Sequence, residues 1–145
     1  MKNRIAFAPI AAMAMILAGC ATIPDAHDAG GVTEKYWKLV ELHGQPVPAL
    51  EREPHFVLRT EGRRVEGFGG CNSFGGSYEI DEKISRIRFG QIVSTLMACP
   101  SGMEVEGAFI EVLRNVDNYS VNGDELTLNR ARMAPLARFE AVHRR

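Results

Sequence analysis

From Lys35 to Phe89, glycine, proline and charged turn residues cut the chain into short runs, and a chain so divided has no room for long helices. The runs Lys35–Leu42, His55–Thr60, Arg64–Phe68, Ser77–Ile80 and Ile84–Phe89 read as strands. Spacing this tight predicts antiparallel pairing, because a parallel partner needs a crossover of about a dozen residues. One helix is expected over Ser101–Val116, where Val105, Phe109, Val112, Leu113 and Val116 share a face at helical spacing. Ser101 and Glu104 match a capping box at its start, and Gly107 weakens it by about 1 kcal/mol relative to alanine. Asn122-Gly123 predicts a hairpin between Tyr119–Val121 and Glu125–Asn129, with a type I′ turn and positive φ at both residues. A last strand is expected at Pro135–Val142, and Trp37 is expected as a core anchor. Strands with one intervening helix predict an α+β domain over residues 33–145, a curved antiparallel sheet or open β-barrel packed around one α-helix.

The N-terminus carries a different signal. Lys2 and Arg4 precede an apolar run from Ile5 to Ala18, and then comes Leu17-Ala18-Gly19-Cys20. The run is shorter than the roughly 20 residues that a membrane-crossing helix needs, so residues 1–19 read as a signal peptide. The tetrapeptide resembles the bacterial lipobox, in which the cysteine is acylated and becomes the first mature residue, so Cys20 is the expected lipidation site. With more than one acyl chain such an anchor is stable, and the membrane is the expected partner of this end. Ala21 after the cysteine points, for a Gram-negative host, to the outer membrane facing the periplasm. Residues 20–32, with Pro24 and Gly30-Gly31, read as a tether, and His27 within it as a solvated linker residue.

Five glycines fall within Gly67-Phe68-Gly69-Gly70-Cys71-Asn72-Ser73-Phe74-Gly75-Gly76. A phosphate-binding loop would place glycine where Asn72 stands and would lead into a helix, whereas a strand follows here. The cluster therefore reads as a tight, bulged connection between strands. Cys71 and Cys99 remain once Cys20 carries lipid. In an oxidising compartment such a pair most simply forms a structural disulfide, the alternative being two buried thiols that pack as small apolar groups.

Several chemistries have no support. A formal charge of −1 with scattered Lys and Arg offers no field for nucleic acid. There is no Cys-x-x-Cys and no four-ligand zinc spacing, so no metal and no cofactor are expected. No catalytic residues can be assigned, and Glu104, Glu106 and Glu111 are expected on the solvated side of the helix.

The order of the motifs is similar to that of a known family. Trp37-Lys38-Leu39 with Gly44, Gly70-Cys71-Asn72-Ser73-Phe74-x-Gly76-x-Tyr78, Ser94-Thr95-Leu96-Met97-Ala98-Cys99-Pro100 and the Tyr119 to Leu128 hairpin together resemble the META domain, also called HslJ-like. Leu96 stands where that family commonly has arginine. The resemblance implies an envelope or secreted protein, a link to heat shock and antibiotic tolerance, and no catalytic residues to carry over. The expected function is thus a lipid-anchored, non-enzymatic envelope protein with a structural, stress-response or partner-binding role. Two alternatives stay open. One is a pilotin-like carrier of lipid or hydrophobic peptide, with Phe68, Phe74 and Tyr78 bounding its binding surface; the other is an envelope enzyme using Cys71 or a carboxylate pair.

Overall fold

The computed structural model describes residues 31–131 and 133–143. The signal peptide, the lipobox with Cys20 and all of the tether before Gly31 lie outside the described residues. In chain order the elements are β1 (Tyr36–Leu42), β2 (Gln45–Pro46), β3 (His55–Arg59), β4 (Arg64–Phe68), β5 (Ser73–Asp81), β6 (Arg86–Phe89), β7 (Val93–Ser94), α1 (Met103–Asn115), β8 (Asn118–Asn122), β9 (Glu125–Asn129) and β10 (Ala137–Val142).

The expected α+β class is overturned. Eight antiparallel strands run in the order β10-β9-β8-β6-β5-β4-β3-β1, and β10 pairs again with β1, so the sheet is a closed barrel. The domain is mostly β, with β2 and β7 as short additions and α1 as the one α-helix among the described residues. Closure rests on six register pairs from Tyr36↔Val142 to Leu42↔Ala137. No local pattern announces that pairing, because it joins the first long strand to the last. The weakest seam is β6 to β8, with one register pair, Arg86↔Asn118, flanked by Ile87 N–H donating to the Asp117 carbonyl at 3.3 Å and Tyr119 N–H to that of Ser85 at 3.0 Å.

Alternation along each strand sets what faces inward. In β1, Trp37 and Leu39 point into the barrel, a bulge at Val40 shifts the phase, and Leu42 points inward in turn. In β3, Phe56 and Leu58 are buried while His55, Val57 and Arg59 face out. The interior is filled with rings: Phe56 lies 4.9 Å from Phe139, and Phe109 of α1 lies 5.4 Å from Phe74 and 5.6 Å from Phe139, centroid to centroid. The helix buries Phe109, Ile110, Val112 and Leu113 against this core.

Three local expectations change. The capping box is not formed: Gly102 is the N-cap with φ 88° and no side-chain cap bond, and α1 runs Met103–Asn115. A Cβ on Gly102 would sit 2.2 Å from the carbonyl oxygen of Gly70, so backbone contact, not a serine hydroxyl, determines how this helix starts. In the β8–β9 hairpin Asn122 pairs with Glu125, which makes Gly123-Asp124 the two-residue loop, and Gly123 has φ 62° while Asn122 has no positive φ. Positive φ at two consecutive residues occurs instead at His43-Gly44, between β1 and β2, with φ 49° and 78°, and at Gly62-Arg63, between β3 and β4, with φ 66° and 48°. Finally, β5 begins at Ser73, so the second half of the glycine cluster is strand.

Candidate functional site

The glycine cluster and the segment leading to α1 meet at one end of the barrel. Phe68 ends β4, Gly69 to Asn72 make the connection, and Ser73 begins β5. Gly69 N–H donates to the carbonyl of Asn72 at 2.8 Å and closes this turn. Cys71 is bonded to Cys99, with their Cα atoms 5.8 Å apart, so the connection is covalently tied to the residues just before the helix.

Asn72 is the one buried polar side chain of the core among the described residues. Its amide oxygen accepts from the Met97 N–H at 2.7 Å and from the Thr95 hydroxyl at 2.8 Å. Its NH₂ donates to the Met97 carbonyl at 3.2 Å and to Glu106 Oε1 at 3.0 Å. Both donors and both acceptor positions are thereby used, as a buried amide requires. Glu106 Oε2 accepts from the N–H groups of both Cys71 and Asn72. Glu106 is therefore not a solvated helix residue as its position suggested: its side chain reaches from α1 to satisfy the backbone of the glycine turn. Gly69 makes this approach possible, since a Cβ there would lie 2.5 Å from Cγ of Glu106. No spacing in the sequence signals that this carboxylate, rather than Glu104 or Glu111, is the one used.

Phe68, Phe74 and Tyr78 do not surround a common opening. Phe74 points into the core against Phe109. Tyr78 is buried on the same inner face, its hydroxyl donates to the Arg59 carbonyl at 3.1 Å, and burial raises its pKa. Phe68 is on the outer face, under the Arg52 guanidinium at 4.1 Å and beside His55 at 6.4 Å. There an open groove of about 840 Å³ runs between β1 and the segment from Val47 to Pro54. Glu53 crosses it, bound by Lys38 at 3.1 Å and by the Tyr36 hydroxyl at 3.2 Å, and these contacts, the Lys38 hydrogen bond foremost, hold its pKa below the usual carboxylate value. Lys38, Tyr36 and Glu53 satisfy one another across the groove, and no nucleophile with an adjacent base lines it.

The segment that the disulfide and Asn72 hold has an unexpected surface. Leu96 is 97% exposed, and Val93, Met97 and Met103 are each more than half exposed. The sequence marks Leu96 as a departure from arginine but not as a side chain standing in water. Among the described residues no group of three or more His, Cys, Asp or Glu gathers as a metal site, and no helix is long and apolar enough to cross a membrane.

A model of the META domain family matches residues 31–143. Among solved structures, the fold is similar to that of a protein from Burkholderia xenovorans studied by NMR, with a TM-score of 0.62, 24% identity and coverage of 78% of this chain and 85% of that one. A second NMR structure has a TM-score of 0.60 at 18% identity, covering 75% of this chain and 90% of the other. A crystal structure of a DUF4847 family protein from Bacteroides vulgatus ATCC 8482 has a TM-score of 0.56 at 14% identity, covering 75% and 93%. At these identities the likeness is one of fold. No curated protein matches the chain.

Proposed function

This chain belongs to the META-domain family, and from that premise we propose that it is a lipid-anchored protein of the cell envelope that works by binding a partner. The META domain is not a known enzyme family. The observation that carries the reading is the use made of the family motif: Cys71, Asn72 and Cys99 all serve to hold the segment before the helix, and none presents a reactive group to solvent beside a base. With the barrel interior filled by Trp37, Phe56, Phe109 and Phe139, recognition falls to the outer surface, and a carrier that holds lipid inside the barrel is disfavoured.

The anchor rests on the N-terminal sequence, in which a positive start, a short apolar run and Leu17-Ala18-Gly19-Cys20 agree. The position of Ala21 supports the outer membrane, and the family link supports a stress-response role. Two measurements test the proposal. Fractionation should find the Cys20→Ser chain released from the membrane, and its stable retention, with no acyl chain on the parent, overturns the anchor. In-cell crosslinking should yield one recurrent envelope protein; recovery of none, under conditions where the protein is folded and abundant, overturns partner binding.

A further inference from the structure

We propose that the Cys71–Cys99 disulfide is a redox latch: a dithiol reductant opens it while the barrel stays folded, and the segment from Thr95 to Cys99 is then released. The inference stands apart from what the outer surface binds. The two cysteines differ in access. Cys71 is 2% exposed in the glycine turn, whereas Cys99 is half-buried in an irregular stretch between the exposed Ala98 and Pro100. A thiolate arriving from solvent therefore meets Cys99 first. What the bond restrains has little else to hold it. The side chains of Leu96 and Met97 stand in solvent, so the segment contributes little apolar burial of its own. Its other ties are hydrogen bonds: Thr95 N–H to the Ser73 carbonyl, the Thr95 hydroxyl to Asn72, and both the N–H and the carbonyl of Met97 to Asn72. The disulfide keeps these partners at high effective concentration, because Cys71 adjoins Asn72 and Cys99 follows Met97 by two residues.

The rest of the fold has its own supports. The barrel closes through β1 and β10, Phe56, Phe109 and Phe139 pack on one another, and α1 is held by Phe109, Val112 and Leu113, none of which depends on the bond between Cys71 and Cys99. Opening is therefore local. One thiolate of the dithiol attacks Cys99 Sγ, the Cys71–Cys99 bond breaks, and Cys71 leaves as a thiolate. The second thiolate of the reductant attacks its own sulfur in the mixed disulfide and releases Cys99. Two electrons pass to the cysteines, each cysteine takes up one of the protons that the dithiol gave up, and the dithiol becomes a disulfide. Glu106 determines which reductant succeeds. Its carboxylate accepts from the Cys71 N–H, and negative charge there disfavours the departing thiolate. Cys71 held beside a mixed disulfide with a monothiol displaces that monothiol again and recloses the latch, whereas a dithiol completes the reaction on itself.

The test treats the whole native protein with dithiothreitol or, at matched thiol concentration, with glutathione, traps free thiols with iodoacetamide, and reads intact mass and amide hydrogen exchange. Dithiothreitol should label both cysteines without denaturant, and glutathione neither. In the reduced protein, exchange at Asn72, Thr95 and Met97 should rise about tenfold while that in β1, β3 and β10 stays unchanged, and reoxidation with oxidised glutathione should restore the first pattern. Cys99→Ser, which cannot form the bond, should show the reduced pattern with no reductant present. Cysteines that label only in denaturant, protection lost in β1 and β10 together with Thr95 and Met97, exchange at Thr95 and Met97 that reduction leaves unchanged, or protection that reoxidation does not restore overturns the latch. Equal labelling by glutathione overturns the requirement for a dithiol.

Discussion

At the end of the barrel where β4 turns into β5, the chain is held by a disulfide, a buried asparagine with every hydrogen-bonding position filled, and a glutamate that caps two backbone N–H groups. At the other end, Glu34 accepts from the Thr60 N–H at 2.6 Å and the Thr60 hydroxyl at 2.9 Å and pairs with Arg59 at 3.2 Å, all close to solvent. The first set of bonds converges on the buried Asn72 and is directional, so removing one partner leaves others unsatisfied. The second competes with water at every atom. One end is built to keep a particular loop shape, and the other only to return the chain from one strand to the next.

The largest expected effect comes from the stitched end. Cys71→Ala opens a loop with a sequence separation of 28, and should lower stability by about 3–4 kcal/mol in the chain-entropy model, less any native strain. The double replacement with Cys99→Ala should cost about the same, because either change opens the same loop. Chemical denaturation of the parent and both variants checks this. A loss below about 1 kcal/mol would place the stability of this end in Asn72 and Glu106 instead.

The hairpin at the opposite end should respond less and more selectively. Gly123→Val should cost about 1–2 kcal/mol, since a branched residue resists the φ of 62°. Asn122→Ala should stay within about 0.5 kcal/mol, because Asn122 is an exposed strand residue without positive φ. Equal losses for the two variants in thermal unfolding would restore a turn centred on Asn122-Gly123.

A further small effect concerns pH. The hydrogen bonds from Thr60 backbone and side chain, with Arg59, lower the Glu34 pKa below its unfolded value. The stability this contributes is therefore full above the ordinary glutamate pKa and is lost as the pH falls through the lowered folded value. Because the side chain is 46% exposed, solvent screening keeps the contribution under about 1 kcal/mol. Glu34→Gln should flatten the acid limb of the stability profile by that amount. An acid limb that Glu34→Gln leaves unchanged would show that this end owes nothing to the carboxylate.

Most strand positions were legible because alternation is a local property: β1, β3, β4, β9 and the apolar face of α1 follow from residues two, three or four apart in sequence. Trp37 was legible as a core anchor for the same reason, and it is fully buried. The helix start was misread because Ser101 and Glu104 satisfy a local rule that the approach of Gly70 to Gly102 overrides. The family was legible because its motif is a set of fixed short spacings, and the family model covers residues 31–143.

By itself, then, the sequence determined which residues alternate, where the chain turns, and which family the spacings belong to, since each depends on neighbours within a few bonds. Tertiary structure alone decided that β10 closes on β1 to make a barrel rather than an open sheet. It alone turned Phe74 and Tyr78 into the interior, drew Glu106 from the helix surface to the backbone of Cys71 and Asn72, and left Leu96 standing in solvent. Those outcomes depend on contacts between residues far apart in the chain, whose formation must offset loop-closure entropy and whose partners no local pattern names.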